Sequence, residues 1–155
     1  KVAGTEAGIT EPQATFSACF GAPVLPLHPT RYATLLKERM SRHDSNVWLV
    51  NTGWSGGAYG EGERMDIDVT RALLNAALEG SLEKVEFSAD PVFKVLVPHS
   101  CPGVDSNVLT PRNTWRDPSA YEEKAKHLAS LFVENFAQYE DYADDEMMSA
   151  APVTD

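Results

Sequence analysis

The sequence predicts an α/β layered fold, and three observations carry that expectation. Val47-Trp48-Leu49-Val50 is a continuous apolar run bounded by polar residues, as in a strand buried on both faces. Met65, Ile67 and Val69 alternate with Asp66 and Asp68, the period of a short strand with one wet face. Around these lie segments whose apolar residues recur every three or four positions, as helices packed on a sheet require. Strands are few for a sheet of ordinary size, so the layer reads as incomplete without upstream residues. With no initiator Met and a Gly- and Thr-containing opening, the chain reads as a piece of a larger polypeptide.

Taken in order, residues 1 to 27 are rich in Gly, Thr and Pro, with one short strand expected over Ala14 to Phe20. His28-Pro29-Thr30 opens a helix, because Pro at the first helical position loses no needed hydrogen bond. Tyr32, Leu35, Leu36 and Met40 fall on one of its faces, and it should end near His43. The strand 47 to 50 follows, then a loop holding five glycines at 53, 56, 57, 60 and 62, then the alternating strand 65 to 69. Thr70 to Glu79 reads as a second helix stopped by Gly80. Val85 to Phe87 and Val92 to Val97 are a strand pair or one interrupted strand. Asp117 caps and Pro118 starts the longest helix, whose stripe runs through Tyr121, Ala125, Leu128, Phe132, Phe136 and Tyr139. Residues 140 to 155, crowded with Glu140, Asp141, Asp144, Asp145 and Glu146, are expected to be a flexible tail.

Composition removes several classes of function. A net charge of -10 over 155 residues repels nucleic acid phosphates and anionic lipid, so neither nucleic acid nor a membrane is an expected partner. The longest apolar runs are far too short to cross a bilayer. Two cysteines, Cys19 and Cys101, sit in no CxxC pair, which suggests neither a disulfide framework nor a zinc site. Val-Thr-Asp at the end is no peroxisomal address, and the cytoplasm is the expected compartment.

Gly53-Trp54-Ser55-Gly56-Gly57 matches the G-x-S-x-G elbow of serine hydrolases, with His99 or His127 as base and Asp90 or Asp105 as its orienting acid. An elbow must turn directly into a helix, whereas this loop continues into a strand, so a Gly-rich loop is favoured and a hydrolase using Ser55 is the alternative. The same loop lacks the G-K-[ST] ending of a P-loop. Asp66 and Asp68 could share a divalent cation, but exposed acids beside a helix start are the simpler reading. The four histidines share no ligand spacing, and no residue is assigned a catalytic or metal-binding role. Trp48, Trp54 and Trp115 are read as packing residues.

A string of motifs goes further. KVAGTE at 1 to 6, TEP at 10 to 12, TFSACFGAP at 15 to 23, LHPTRYA at 27 to 33, WLVNTGWSGG at 48 to 57, CPGV at 101 to 104 and PRNTW at 111 to 115 together resemble the C-terminal region of ATP-dependent phosphoenolpyruvate carboxykinases. The resemblance runs to about Tyr139. It implies that residues 1 to 139 are the C-terminal part of a P-loop-type mononucleotide-binding lobe, a mixed sheet with flanking helices. It also implies conversion of oxaloacetate and ATP to phosphoenolpyruvate, ADP and carbon dioxide in gluconeogenesis. The divalent metals, Mg or Mn, and the P-loop would be held by the N-terminal remainder, in the same or a separate chain.

By resemblance, the nucleotide contacts that fall in this segment are Arg64, Met65 and Thr70. A guanidinium can lie against the adenine face, Met65 can border the base, and the Thr70 hydroxyl can meet its edge. Met65 is softer and larger than the Ile usual in the family, a change that packing should tolerate. Lys126 stands where some members place a second acid beside Glu123, leaving that calcium-binding pair incomplete. A non-catalytic nucleotide-binding module is the remaining alternative for the chain alone.

Overall fold

The computed structural model describes residues 7–11, 15–17 and 22–154, in a chain that divides into two compact units, Lys1–Val47 and Trp48–Asp155. In the first, a 3-10 turn at Ala22–Val24 precedes helix α1, Pro29–His43. Pro29 occupies the first helical position as its fixed φ favours, and Asp44 ends the helix in the left-handed conformation (φ 49°), its amide bonded back to Met40 O. No residue of α1 is buried, and Leu36 is 60% exposed. The strand expected over Ala14 to Phe20 lies largely outside the described residues, of which 15–17 carry no regular structure.

The strand expected at Val47 to Val50 is not formed. These residues carry no regular structure and Leu49 is 83% exposed. A strand exists through the ladder bonds of its neighbours, and no described residue pairs with this run.

Inside the glycine loop the second unit makes a hairpin instead. Strand β1, Trp54–Ser55, pairs antiparallel with β2, Glu63–Arg64, placing Trp54 opposite Arg64 and Ser55 opposite Glu63. The connecting loop closes on Ala58, whose carbonyl accepts from Glu61 N (3.0 Å) and Gly62 N (2.8 Å). A Cβ on Gly57 would lie 2.8 Å from Gly62 N, so the two arms meet where only glycine fits.

The alternating strand at 65 to 69 is also corrected. Met65 N adds one bond to Gly53 O (2.9 Å), and the chain then turns at once into helix α2, Ile67–Leu78. Asp66 is its N-cap, the carboxylate accepting from Asp68 N at 2.9 Å. The Asp-Ile-Asp-Val alternation is therefore a cap and a first helical turn. Glu79 is the C-cap and Gly80 leaves in the left-handed region (φ 73°).

After a 3-10 turn at Ser81–Lys84, strands β3, Phe87–Ala89, and β4, Leu96–Pro98, pair antiparallel in the register Phe87 to Pro98. Asp90 tightens their turn by accepting from Val92 N and Phe93 N. Two short helices follow, α3 at Ser106–Leu109 and α4 at Pro111–Thr114, and then the long α5, Pro118–Phe136, capped by Asp117 as expected. The chain continues through a 3-10 helix at Ala137–Tyr142 and α6 at Asp145–Ser149, and returns to the β3–β4 turn through Val153 N to Val92 O (2.8 Å) and Lys94 Nζ to Ser149 O (3.0 Å).

The core of this unit is Ala76, Leu82 and Cys101, wrapped by Trp48, Leu73, Val85, Val104 and Leu109. Burial raises the Cys101 thiol pKa. Ala125 and Ala129 are the buried positions of α5. The expected mixed sheet is not among the described residues, which hold helices and two separate two-stranded antiparallel ladders, consistent with a fragment of an α/β domain. No helix among them is long and apolar enough to cross a membrane.

Candidate functional site

The β1–β2 hairpin and the start of α2 build one wall of a cleft of about 800 Å³. Pairing across the hairpin brings the Arg64 guanidinium carbon 5.9 Å from the centroid of the Trp54 ring, within cation–π range. Tyr59, from the connecting loop, holds that ring edge-on at 5.3 Å. Met65, half-buried, lines the cleft next to Arg64, followed by Asp66 and Val69. Thr70 sits one turn into α2, where its hydroxyl donates to Asp66 O at 3.1 Å, and it is not part of the cleft wall. Two of the three expected nucleotide contacts thus stand together, with the third just behind them.

The opposite wall comes from α4 and the start of α5. Thr114, at the end of α4, is joined to the hairpin: its Oγ1 accepts from Gly56 N (3.1 Å) and Ser55 Oγ (3.3 Å) while donating to Pro111 O (2.7 Å). Gly56 has φ 78°, and a Cβ there would stand 3.0 Å from Thr114 O, so this close approach also needs glycine. Trp115 and Arg116 continue the wall. Tyr121 braces Trp115 edge-on at 5.8 Å, and its phenol pKa is raised first by burial and then by the Asp90 charge. Arg112 Nε donates to Glu122 at 2.8 Å and ties α4 to α5.

A cleft of this volume is in the range that holds a drug-sized ligand. Its charge is uneven: Glu61, Glu63, Asp66 and Asp117 line it against the two guanidinium groups of Arg64 and Arg116. Such a lining suits a neutral, hydrogen-bonding, planar group better than a polyanion.

The other residues singled out by sequence have different uses. Ser55 Oγ is bonded to Thr114, and among the described residues no histidine is hydrogen-bonded to it, which does not favour the hydrolase alternative. Asp66 caps α2 and Asp68 forms an exposed pair with Arg71 at 3.7 Å. His99 does meet a serine, Ser88 across the β3–β4 ladder, with Glu86 3.7 Å from its other ring nitrogen. All three are exposed residues on or beside the β3–β4 ladder and outside the cleft, on a surface that lacks the dryness acyl transfer requires. Among the described residues no group of three or more His, Cys, Asp or Glu could hold a metal ion.

Sequence reasoning missed Trp54 as a partner of Arg64 and Thr114 as a clasp. The hairpin signal was weak because residues 56–62 form the connection, far from the two-residue turn that marks a hairpin in sequence. The clasp joins residues 58 and 59 positions apart and leaves no local signal at all.

Comparison with known proteins agrees with the motif string. The sequence model of phosphoenolpyruvate carboxykinase matches residues 1–107. The chain is 55% identical over 155 residues to phosphoenolpyruvate carboxykinase (ATP) of Flavobacterium johnsoniae, covering 100% of this chain and 29% of that protein. It is 59% identical over 152 residues to the enzyme of the same name from Rhizobium etli, covering 98% and 28%. A third relative, phosphoenolpyruvate carboxykinase (ATP) 1 of Moorella thermoacetica, is 60% identical over 141 residues, covering 91% and 27%. The chain therefore spans less than a third of the length of these relatives. With its family model matched over residues 1–107 and relatives 55% and 59% identical across nearly all of it, the chain belongs to the ATP-dependent phosphoenolpyruvate carboxykinase family.

Proposed function

We propose that this chain supplies the adenine side of the ATP site in a carboxykinase whose complete form converts oxaloacetate and ATP to phosphoenolpyruvate, ADP and carbon dioxide, a step of gluconeogenesis. The observation that carries this is the cleft in which the Arg64 guanidinium, within cation–π range of Trp54, stands beside the apolar Met65 in an otherwise acid-rich lining. A purine fits that chemistry: its face takes the cation, its edge takes Met65, and its amino group can donate to an oxygen. Thr70, whose hydroxyl hydrogen goes to Asp66 O, keeps lone pairs that can accept.

On this reading residues 1 to 139 complete a P-loop-type lobe and 140 to 155 form its tail. The N-terminal remainder of the enzyme holds the triphosphate, the substrate and the divalent metals, Mg or Mn. The large apolar exposures support a covering partner of that kind, since Leu49, Leu78 (85% exposed) and Leu96 (69%) present side chains that a domain normally buries.

The test is Arg64→Ala in the complete carboxykinase that carries this segment. Loss of a base contact worth about 1–2 kcal/mol raises the KM for ATP roughly five- to thirty-fold, with kcat little changed. A fall in kcat with an unaltered KM would refute the assignment.

A further inference from the structure

We infer that Trp54 is a positioning residue for nucleotide binding: its indole is the platform on which the Arg64 guanidinium lies, leaving the other face of that cation free for a purine. The inference rests on the reading of Arg64 as a base contact, and extends it to a residue that has no direct role in that reading.

Three observations support it. First, the pair is built into the hairpin, for Trp54 and Arg64 are direct cross-strand partners and the guanidinium carbon stands 5.9 Å from the ring centroid. Second, the ring is itself fixed, since Tyr59 meets it edge-on at 5.3 Å and an interplanar angle of 89°. Third, Trp54 is not a core residue: it is 42% exposed and takes no part in the Ala76, Leu82 and Cys101 cluster. A large aromatic left at the surface and aimed at a cation has more to do with that cation than with folding. Among the described residues no carboxylate is ion-paired with Arg64, although Glu61 and Glu63 line the same cleft, and the group that meets the guanidinium is the Trp54 indole.

The physical consequence follows from the shape of guanidinium. An arginine side chain alone samples many rotamers, and holding it against the ring before the ligand arrives removes an ordering cost from binding. A planar cation has two faces. With one on indole, the other can stack on a base, giving a three-layer arrangement of indole, guanidinium and purine. Stacking of this kind does not tell adenine from guanine, so Trp54 should set affinity for purine nucleotides in general, with selectivity left to groups at the edge of the base.

The test is a double-mutant cycle in the complete carboxykinase, with KM and kcat for ATP measured in Trp54→Leu, Trp54→Phe, Arg64→Ala and Trp54→Leu/Arg64→Ala. Trp54→Leu is expected to raise the KM for ATP about three- to five-fold at unchanged kcat, and Trp54→Phe, which keeps an aromatic face, to restore most of that loss. The double variant should match Arg64→Ala alone, because the platform has nothing left to hold. If Arg64→Ala raises the KM and Trp54→Leu leaves it at the wild-type value, the positioning role is overturned and the reading of Arg64 stands. If the two effects multiply in the double variant, Trp54 acts independently of Arg64 and the inference is likewise overturned. If Arg64→Ala itself changes nothing, the base contact fails and the inference falls with it.

Discussion

Replacing Thr114 with Val tests whether the two walls of the cleft are held together by one hydroxyl. Valine keeps the branched shape and removes the oxygen that accepts from Gly56 N at 3.1 Å and Ser55 Oγ at 3.3 Å. The serine hydroxyl can rotate to another partner. The Gly56 amide, part-buried and fixed by a backbone with φ 78°, cannot. An unsatisfied donor of this kind costs about 1–3 kcal/mol, and about 2 kcal/mol corresponds to roughly thirty-fold in an opening equilibrium. Amide hydrogen exchange reads it directly: the Gly56 amide should exchange roughly thirty-fold faster in Thr114→Val and near the wild-type rate in Thr114→Ser. Amides of the β3–β4 ladder, which share no bond with Thr114, should not change. Equal acceleration there would mean global destabilisation, and an unchanged Gly56 rate would mean that the clasp holds nothing; either refutes the reasoning.

Gly62→Ala should open the hairpin from the other side, since its Cβ would lie 2.6 Å from Ser55 O, and the expected result is a raised KM for ATP in the complete enzyme with kcat kept. A nucleotide titration matching wild type would show that the Arg64 hairpin tolerates distortion there. Asp117 gives a pH prediction. Its carboxyl is held below the ordinary carboxylate range by the Ser119 hydroxyl and then the Ser119 amide, so the folded pKa lies below the unfolded one. Its contribution to α5 is therefore complete above about pH 4 and is lost as the pH falls through the folded value. Helical circular dichroism should decline in that acid range in the wild type, and Asp117→Asn, which caps without titrating, should remove that part of the decline. An identical acid profile for the variant would contradict the role given to the cap.

Helices α1 and α5 were legible because their boundaries are set by local chemistry: Pro29 and Pro118 at first positions, and the Asp117 side chain on Ser119 N. The segment after Arg64 was misread because Asp-Ile-Asp-Val satisfies two patterns at once, the period of a strand and an Asp cap ahead of a helix. The cap prevailed because Asp66 can accept from Asp68 N only if the chain turns there, and Thr70 N then reaches Asp66 O at 3.0 Å. The run Val47 to Val50 shows the opposite difficulty. Its composition is that of a buried strand, yet pairing is a property of neighbours, and the described residues contain none for it. In the cleft, Arg64 and Met65 were reached through a motif string, whereas the contacts that shape their surroundings, Trp54 to Arg64 and Thr114 to Gly56, depend on a loop closure and on a distant helix. Neither leaves a periodicity to read.

If the proposed function holds, the glycine loop explains how the nucleotide site would be divided between this segment and the rest of the enzyme. A loop that cradles phosphate must point free backbone amides at the anion. Here the amides of Glu61 and Gly62 are both directed to Ala58 O, at 3.0 and 2.8 Å, so they serve hairpin closure and are not available to a phosphate. The side chains act in the same direction. Between unit like charges about 6 Å apart, repulsion runs from under 1 kcal/mol in bulk water to about 3 kcal/mol near a protein surface. A triphosphate entering the cleft would meet that repulsion from Glu61, Glu63, Asp66 and Asp117, with Arg64 and Arg116 to offset it. A neutral base meets none of it. A nucleotide placed here is therefore favoured with its base inward and its phosphates directed out of the acid lining, toward cations and amides that must come from another part of the enzyme.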